Sequence, residues 1–336
     1  MTASGSNAPI RYTNPVHAGY FADPFVLRAS DGFYYAYGTS PQATADVRQF
    51  PVLRSPDLAR WQQLLEGALE PLRDPPALSY WAPEVAFHDD RFLMFYSAST
   101  SQSDADHRIR IALSYDPSGP FVDSGRLLLP ELGFTIDASP FQDPVDGAWY
   151  LFFATDYEQD APYGTGVAVV RLAGDLMSAV GEIRPVVRAS ADWHIFERNR
   201  NYKGRVWAAW HCVEGPSAVF HDGKYYCFYS GGAWHGDAYG VGFAVADHPL
   251  GPWRDERAGK GPAVLQGIPG KVLGPGHNST ILGPDAETLF MAYHAWDAAH
   301  TARRMFIDPI VWTADGPRVD GPSTWERTIP GPQDLG

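Results

Sequence analysis

His211-Cys212-Val213-Glu214-Gly215-Pro216-Ser217-Ala218-Val219-Phe220-His221-Asp222-Gly223-Lys224-Tyr225-Tyr226-Cys227-Phe228-Tyr229-Ser230 reads as a β-hairpin. Val219-Phe220 and the run from Lys224 to Tyr229 are β-prone and rich in aromatics. Asp222-Gly223 between them is a strong turn signal, because glycine takes a positive φ without steric cost. The same turn followed by an aromatic strand recurs at Asp31-Gly32-Phe33-Tyr34-Tyr35, Asp89-Asp90-Arg91-Phe92, Asp146-Gly147-Ala148-Trp149-Tyr150 and Asp285-Ala286-Glu287-Thr288-Leu289-Phe290. The five turn Asp residues lie 58, 57, 76 and 63 residues apart. That is too long for a solenoid repeat of about 20–47 residues and fits propeller blades of roughly 40–50 residues joined by longer loops. The expected fold is all-β, a five-bladed β-propeller in a single domain, with blades at about 21–67, 80–129, 134–183, 213–262 and 274–313.

Eight residues before each turn Asp, or nine in the third copy, stand Asp23, Trp81, Asp137, Glu214 and His277. In a propeller the innermost strands surround a central channel, so equivalent positions at their starts converge on the axis. Three carboxylates, an indole and an imidazole would then face one another at one mouth of the ring. An Asp or Glu beside Pro can be a simple turn former. Three acids at one phase of one repeat are much harder to obtain from turn chemistry.

Hydrophobic residues make up 45% of the 336-residue chain and aromatics 14%, enough for a sizeable core, and 33 Gly with 29 Pro suit many short strands and turns. No stretch has the 18 or more apolar residues of a membrane span. The net charge of −13, without a basic run, argues against nucleic acid and anionic membranes as partners. Met1 to Pro9 lacks a basic n-region and an apolar h-region, so a cytoplasmic location is expected, with a mature secreted form as the alternative. Cys212 and Cys227 do not oppose each other in the hairpin and are expected to be buried free thiols.

Three outer strands end in a Pro/Gly turn and an aromatic plug for packing between blades, at Trp61, Phe121 and Trp253. The segment 184–212 carries Trp193, His194, Arg200 and Tyr202 and is either a loop over the mouth or an edge strand. The tail after Trp312 is expected to pair with N-terminal residues and close the ring, which removes exposed strand edges.

Carboxylates around an aromatic-lined pocket are what glycoside hydrolysis requires. One protonated acid delivers a proton to the leaving oxygen, and one carboxylate activates water or attacks the anomeric carbon. A third acid nearby raises the pKa of the proton donor. Trp81 would offer a face to sugar C–H groups. His277 could be structural, or could hold a hard cation such as calcium largely through waters; no second His or Cys stands at zinc-ligand spacing.

In the order and spacing of Phe21-Ala22-Asp23-Pro24, Trp81-Ala82-Pro83-Glu84, Ile136-Asp137, Val213-Glu214-Gly215-Pro216 and Gly276-His277-Asn278-Ser279, the chain resembles glycoside hydrolase family 43. These are five-bladed propeller enzymes acting on arabinose- and xylose-containing polysaccharides. The resemblance covers residues from about Asn14 to Thr324 and implies inversion, with Asp23 as general base, Asp137 as pKa modulator and Glu214 as general acid. It also implies that His277 is the axial His that helps hold calcium in some members, with no cofactor otherwise required. An arginine from the stretch Tyr293-His294 to Arg303-Arg304-Met305 would approach the substrate, and strand alternation lets only one of the pair do so, with Arg304 favoured. Gly-His-Asn-Ser is closer to arabinan-active members, and no β-sandwich follows the propeller. An exo-acting α-L-arabinofuranosidase on small oligosaccharides is therefore expected, ahead of a β-xylosidase or endo-arabinanase. The related retaining fructosidases are disfavoured, because their Asn-Asp-Pro-Asn, Arg-Asp-Pro and Glu-Cys signatures are missing. A propeller that merely binds glycans or proteins is the reading from a different class.

Overall fold

The structure, a computed structural model, describes residues 8–44 and 46–332. Residues 1–7, on which much of the reading of the N-terminus rests, and the last four of the tail lie outside the described residues. In chain order the strands are β1 (Ile10–Tyr12), β2 (Ala22–Arg28), β3 (Tyr34–Thr39), β4 (Val52–Ser55), β5 (Gln62–Gln63), β6 (Ser79–His88), β7 (Arg91–Ser99), β8 (Arg108–Ser114), β9 (Val122–Leu127), β10 (Thr135–Gln142), β11 (Trp149–Tyr157) and β12 (Gly164–Leu172). They continue with β13 (Ala179–Val187), β14 (Ile195–Tyr202), β15 (Arg205–His211), β16 (Val213–His221), β17 (Lys224–Gly231), β18 (Gly240–Ala246), β19 (Val272–Leu282), β20 (Leu289–Asp297), β21 (Arg303–Thr313), β22 (Gly316–Val319) and β23 (Arg327–Ile329).

Strands β2 to β5, β6 to β9, β10 to β13, β16 to β18 and β19 to β22 form five successive antiparallel sheets, the five blades of a propeller. The hairpin that opens the sequence reading is present. β16 and β17 pair from Val213↔Gly231 to His221↔Lys224 around Asp222 and Gly223, both left-handed at φ 52° and 75°. Cys212 and Cys227 are buried free thiols.

The second strand of each blade explains why the aromatic runs are continuous rather than alternating with polar residues. Its two faces meet two different neighbours. On β7, Phe92, Met94 and Tyr96 pack toward blade one, while Leu93 and Phe95 pack toward blade three. On β20, Met291 and Tyr293 face blade four, and Phe290 and Ala292 face blade one. A strand covered on both faces has no position left for water-facing residues. Among the described residues, one buried cluster fills each gap between adjacent blades. Trp61, Phe121 and Trp253 join these clusters as inter-blade plugs.

Two blade boundaries differ from the sequence expectation. The outer strand of blade three runs to Val187, past residue 183. Blade five extends through β22, so residues 316–319 belong to the blade and not to the closing tail. Closure is made beyond it, where β23 pairs with β1, Ile10↔Ile329 to Tyr12↔Arg327. A buried polar knot backs that pairing. Asn14 Nδ2 donates to the Ile307 carbonyl at 2.8 Å, and Asn14 Oδ1 accepts from the Ile307 N–H at 2.9 Å. Asp308, fully buried, accepts from Asn14, Tyr293 OH and the Ser323 N–H.

The segment 184–212 proves to be neither a simple loop nor a plain edge strand. After β13 it forms the hairpin β14–β15, joined to blade three through one parallel bridge, Gly164↔His211.

Candidate active site

The first strand of every blade carries a β-bulge at the same height. Pairing jumps between Ala22 and Phe25, Trp81 and Glu84, Ile136 and Ser139, Glu214 and Ser217, and Gly276 and Ser279. The first extra residue is left-handed in each: Asp23 (φ 52°), Ala82 (φ 43°), Asp137 (φ 56°), Gly215 (φ 56°) and His277 (φ 47°). Such bulges kink the strand and re-aim a side chain, and non-glycine residues hold this conformation only where the surroundings compensate for its cost. The expected equivalence is thereby corrected by one residue in two blades: Trp81 and Glu214 stand just before the bulge, at the positions of Ala22, Ile136 and Gly276.

Each bulge turns one N–H off its own ladder, and a side chain elsewhere in the ring receives it. Ala82 N–H donates to Thr39 Oγ1 (2.9 Å), Asp137 N–H to Ser97 Oγ (3.1 Å), His277 N–H to Ser230 Oγ (2.7 Å) and Asp23 N–H to His294 Nδ1 (3.1 Å), each acceptor belonging to the preceding blade. For blade four the matching acceptor position is Ala154, which has no polar atom. There Asp137 Oδ2 takes the Gly215 N–H at 3.0 Å, so this carboxylate is tied to the residue beside Glu214. Gly215 has a second reason to be glycine, since a Cβ would lie 3.1 Å from the His277 ring. The acceptors have a sequence signal. Thr39, Ser97, Ala154 and Ser230 fall eight residues after each turn Asp and His294 nine after the last, but only the fold shows what they bond.

Asp23, Asp137, Glu214, Trp81 and His277 converge, as expected, on one cavity of ≈ 280 Å³, joined there by Arg303, Tyr20 and Trp234. The arginine expectation is corrected. Arg303 Nη1 lies 3.2 Å from Asp23 Oδ1, whereas Arg304 pairs with Asp297 at 2.9 Å and does not line the cavity. Alternation along β21 is the cause. Arg303 shares its face with Met305 and Ile307, which pack toward blade one, where Asp23 arrives; Phe306 points toward blade four.

The acids sit in different fields. Burial alone would push Asp23 up, but the charges of His277 and Arg303 outweigh it and hold the carboxyl well below its usual range. Thr39 Oγ1 donates to its other oxygen. His277 Nδ1 and His294 Nδ1 lie 3.4 and 3.1 Å from Asp23 Oδ1. Asp137 is pushed up to about 7, by burial first and then by the charges of Glu214 and Asp23, against the lowering pull of His277 and the Gly215 N–H. His277 is raised: burial opposes its charge, but Asp23, Asp137 and Glu214 outweigh burial. His294 is lowered to about 4, mainly by burial, and is neutral. Glu214 Oε1 accepts from Tyr239 OH at 2.7 Å. Tyr239 fits because residue 276 is glycine; a Cβ there would lie 2.4 Å from the Tyr239 ring. Trp81 lines the cavity with His107 stacked on one face, 3.5 Å between centroids. Sequence reasoning did not find Thr39, Tyr239 or Trp234, and His294 entered it only as a neighbour of the arginine pair.

Among the described residues no three His, Cys, Asp or Glu side chains are placed to hold a metal. Around the axis the protein offers a hard cation the imidazole of His277, and water would have to supply most other ligands. The donor set does not build a metal site by itself, and an axial calcium is a proposal only.

Residues 12–317 match the family model described as glycosyl hydrolases family 43. A β-D-galactofuranosidase of Aspergillus niger is 27% identical over 86% of this chain and 78% of its own length. An extracellular exo-α-(1→5)-L-arabinofuranosidase of Streptomyces avermitilis is 23% identical over 91% of this chain and 62% of its own. Among solved structures, a thermostable family-43 glycoside hydrolase superposes with a TM-score of 0.78 at 29% identity, covering 96% of this chain and all of the other.

Proposed function

Because this chain belongs to glycosyl hydrolase family 43, we propose that it removes terminal α-L-arabinofuranosyl residues from small oligosaccharides with inversion at the anomeric carbon. The observation that carries the reading is the meeting of three carboxylates from three blades in one cavity under unlike electrostatics. Asp23, kept ionised, is the general base that takes a proton from the attacking water. Glu214, held by Tyr239, is the general acid that protonates the leaving oxygen. Asp137 accepts the Gly215 N–H and so orients the bulge beside Glu214. A carboxylate held ionised and a second carboxyl within the same cavity are what glycoside hydrolysis needs.

The cavity's ≈ 280 Å³ lies just below the usual range of small-ligand sites, roughly 300–1,000 Å³. That favours removal of one terminal sugar over binding of a long polymer. A furanose is supported by the names of the relatives, a galactofuranosidase and an exo-arabinofuranosidase. β-Xylosidase or endo-arabinanase activity is the second reading, the latter supported by a probable arabinan endo-1,5-α-L-arabinosidase of Aspergillus fumigatus that is 25% identical over 81% of this chain.

The test is release of nitrophenol from the α-L-arabinofuranoside, β-D-xyloside and β-D-galactofuranoside by wild type, Asp23→Ala and Glu214→Ala. Turnover on the arabinofuranoside, lost about 10²–10⁴-fold in Asp23→Ala, is the expected result. Preference for the xyloside, or activity on arabinan oligosaccharides alone, moves the assignment to the second reading. A retained anomer in the first product, read by proton NMR, overturns inversion.

A further inference from the structure

The hairpin β14–β15 has no part in the roles given above, yet it walls a recess that adjoins the cavity. Its tip is stapled to the end of β11, where Tyr202 OH and Lys203 Nζ bond Asp156 at 2.9 and 2.7 Å and Lys203 also reaches Glu158 at 2.6 Å. Its inner face is an aromatic cluster of Tyr202, Trp207 and Trp210, buried together with Ala105 from the loop between β7 and β8. The hairpin thus bridges blade three to a blade-two loop as a fixed wall and not as a swinging lid.

Between that wall and the blades lies a second, small recess of ≈ 80 Å³. Trp81, Trp234 and Glu214 line both this recess and the first cavity. If Glu214 protonates the leaving oxygen, that oxygen sits at the junction, and the leaving group must occupy the recess. One hairpin side chain there has an unused binding capacity. Arg200 lies in an aromatic frame, its Cζ 4.6 Å from the Phe196 ring centroid and 4.8 Å from that of Tyr202. It is 17% exposed, and its ion pair with Glu197 is long, at 3.9 Å. A guanidinium set among rings, with no carboxylate closer than that among the described residues, is a pre-set donor.

We propose that the recess is the subsite for the leaving group, that it takes a neutral sugar ring, and that Arg200 determines specificity there by donating to the ring's hydroxyls while Trp81 or Trp234 covers its C–H face. This rests on the assignment of Glu214 as the acid. Arg200→Ala and Arg200→Lys are compared with wild type on an arabino-oligosaccharide and on the nitrophenyl glycoside of the same terminal sugar. The nitrophenyl group offers few acceptors for Arg200. The loss of kcat/KM on the oligosaccharide is therefore expected to exceed that on the aryl glycoside by about tenfold to a hundredfold, the value of a hydrogen bond to a charged group. Equal losses on the two substrates, or no loss on either, overturn the proposal.

A second arm does not depend on turnover. Arabinotriose and xylotriose are titrated into Asp23→Ala with and without Arg200→Ala, following tryptophan fluorescence. Affinity about tenfold weaker without Arg200 upholds the subsite even if no arabinoside is cleaved, in which case only the sugar assignment falls. Equal affinities, or no binding to either protein, overturn it.

Discussion

Replacing Arg303 with Gln removes the cation nearest Asp23 and tests what keeps this carboxylate ready to act as a base. The closest approach is 3.2 Å, between groups whose side chains are 11% and 9% exposed. At an effective dielectric constant of ~20, a unit pair at that distance interacts by about 5 kcal/mol, which is a ceiling. The glutamine amide and entering water recover much of it, and His277, His294 and Thr39 remain in place. A net change of roughly 1.4–2.8 kcal/mol corresponds to about one to two pKa units. The sign follows from the role. Asp23 must be ionised, its carboxyl is held low, and losing a cation raises it, so activity is lost at a higher pH as the solution is acidified. The acidic limb of kcat/KM against pH should move up by about one to two units in Arg303→Gln and by less in Arg303→Lys, which keeps the charge. Arg304→Gln is the control, because its partner Asp297 lies outside the cavity and partly exposed surface pairs of this kind are worth about 0–1 kcal/mol. An acidic limb that stays within ~0.3 units in Arg303→Gln, or moves in Arg304→Gln instead, would refute the reasoning. Circular dichroism confirms that each variant is folded.

Asp137→Asn should lower the pKa of the His277 ring, followed by NMR of its ring protons, because one of the three carboxylates that raise it is gone; a His277 pKa that stays put or rises counts against the coupling. Asn14→Ala should lower unfolding free energy by about 3 kcal/mol in urea titrations, since it strands the Ile307 N–H and carbonyl and removes a donor to the buried Asp308 carboxylate, and a loss under ~1 kcal/mol would remove Asn14 from ring closure.

The propeller was legible because its signals are local. Asp-Gly turns and double-sided aromatic strands such as Phe92 to Tyr96 can be read within ten residues, and their recurrence counts the blades. The cavity acids were legible for the same reason, since Asp23, Asp137 and Glu214 stand at a nearly constant distance from their turns. The one-residue error at Trp81 and Glu214 marks the limit of that ruler. A bulge inserts a residue without announcing it, and its position is set by the partner strand, Ser97 for one and Ser230 for the other.

The chain by itself determined the repeat, the all-β class and the set of acids at the channel mouth, because turn chemistry and strand alternation act between near neighbours in sequence. Only the tertiary structure decided which arginine meets Asp23, that His294 and Tyr239 hold two of the acids, and that the hairpin β14–β15 walls the recess beside the cavity. Those contacts join residues 25 to 280 positions apart. Closing the ring brings them together, and no local pattern encodes which face of a closing strand will meet which neighbour.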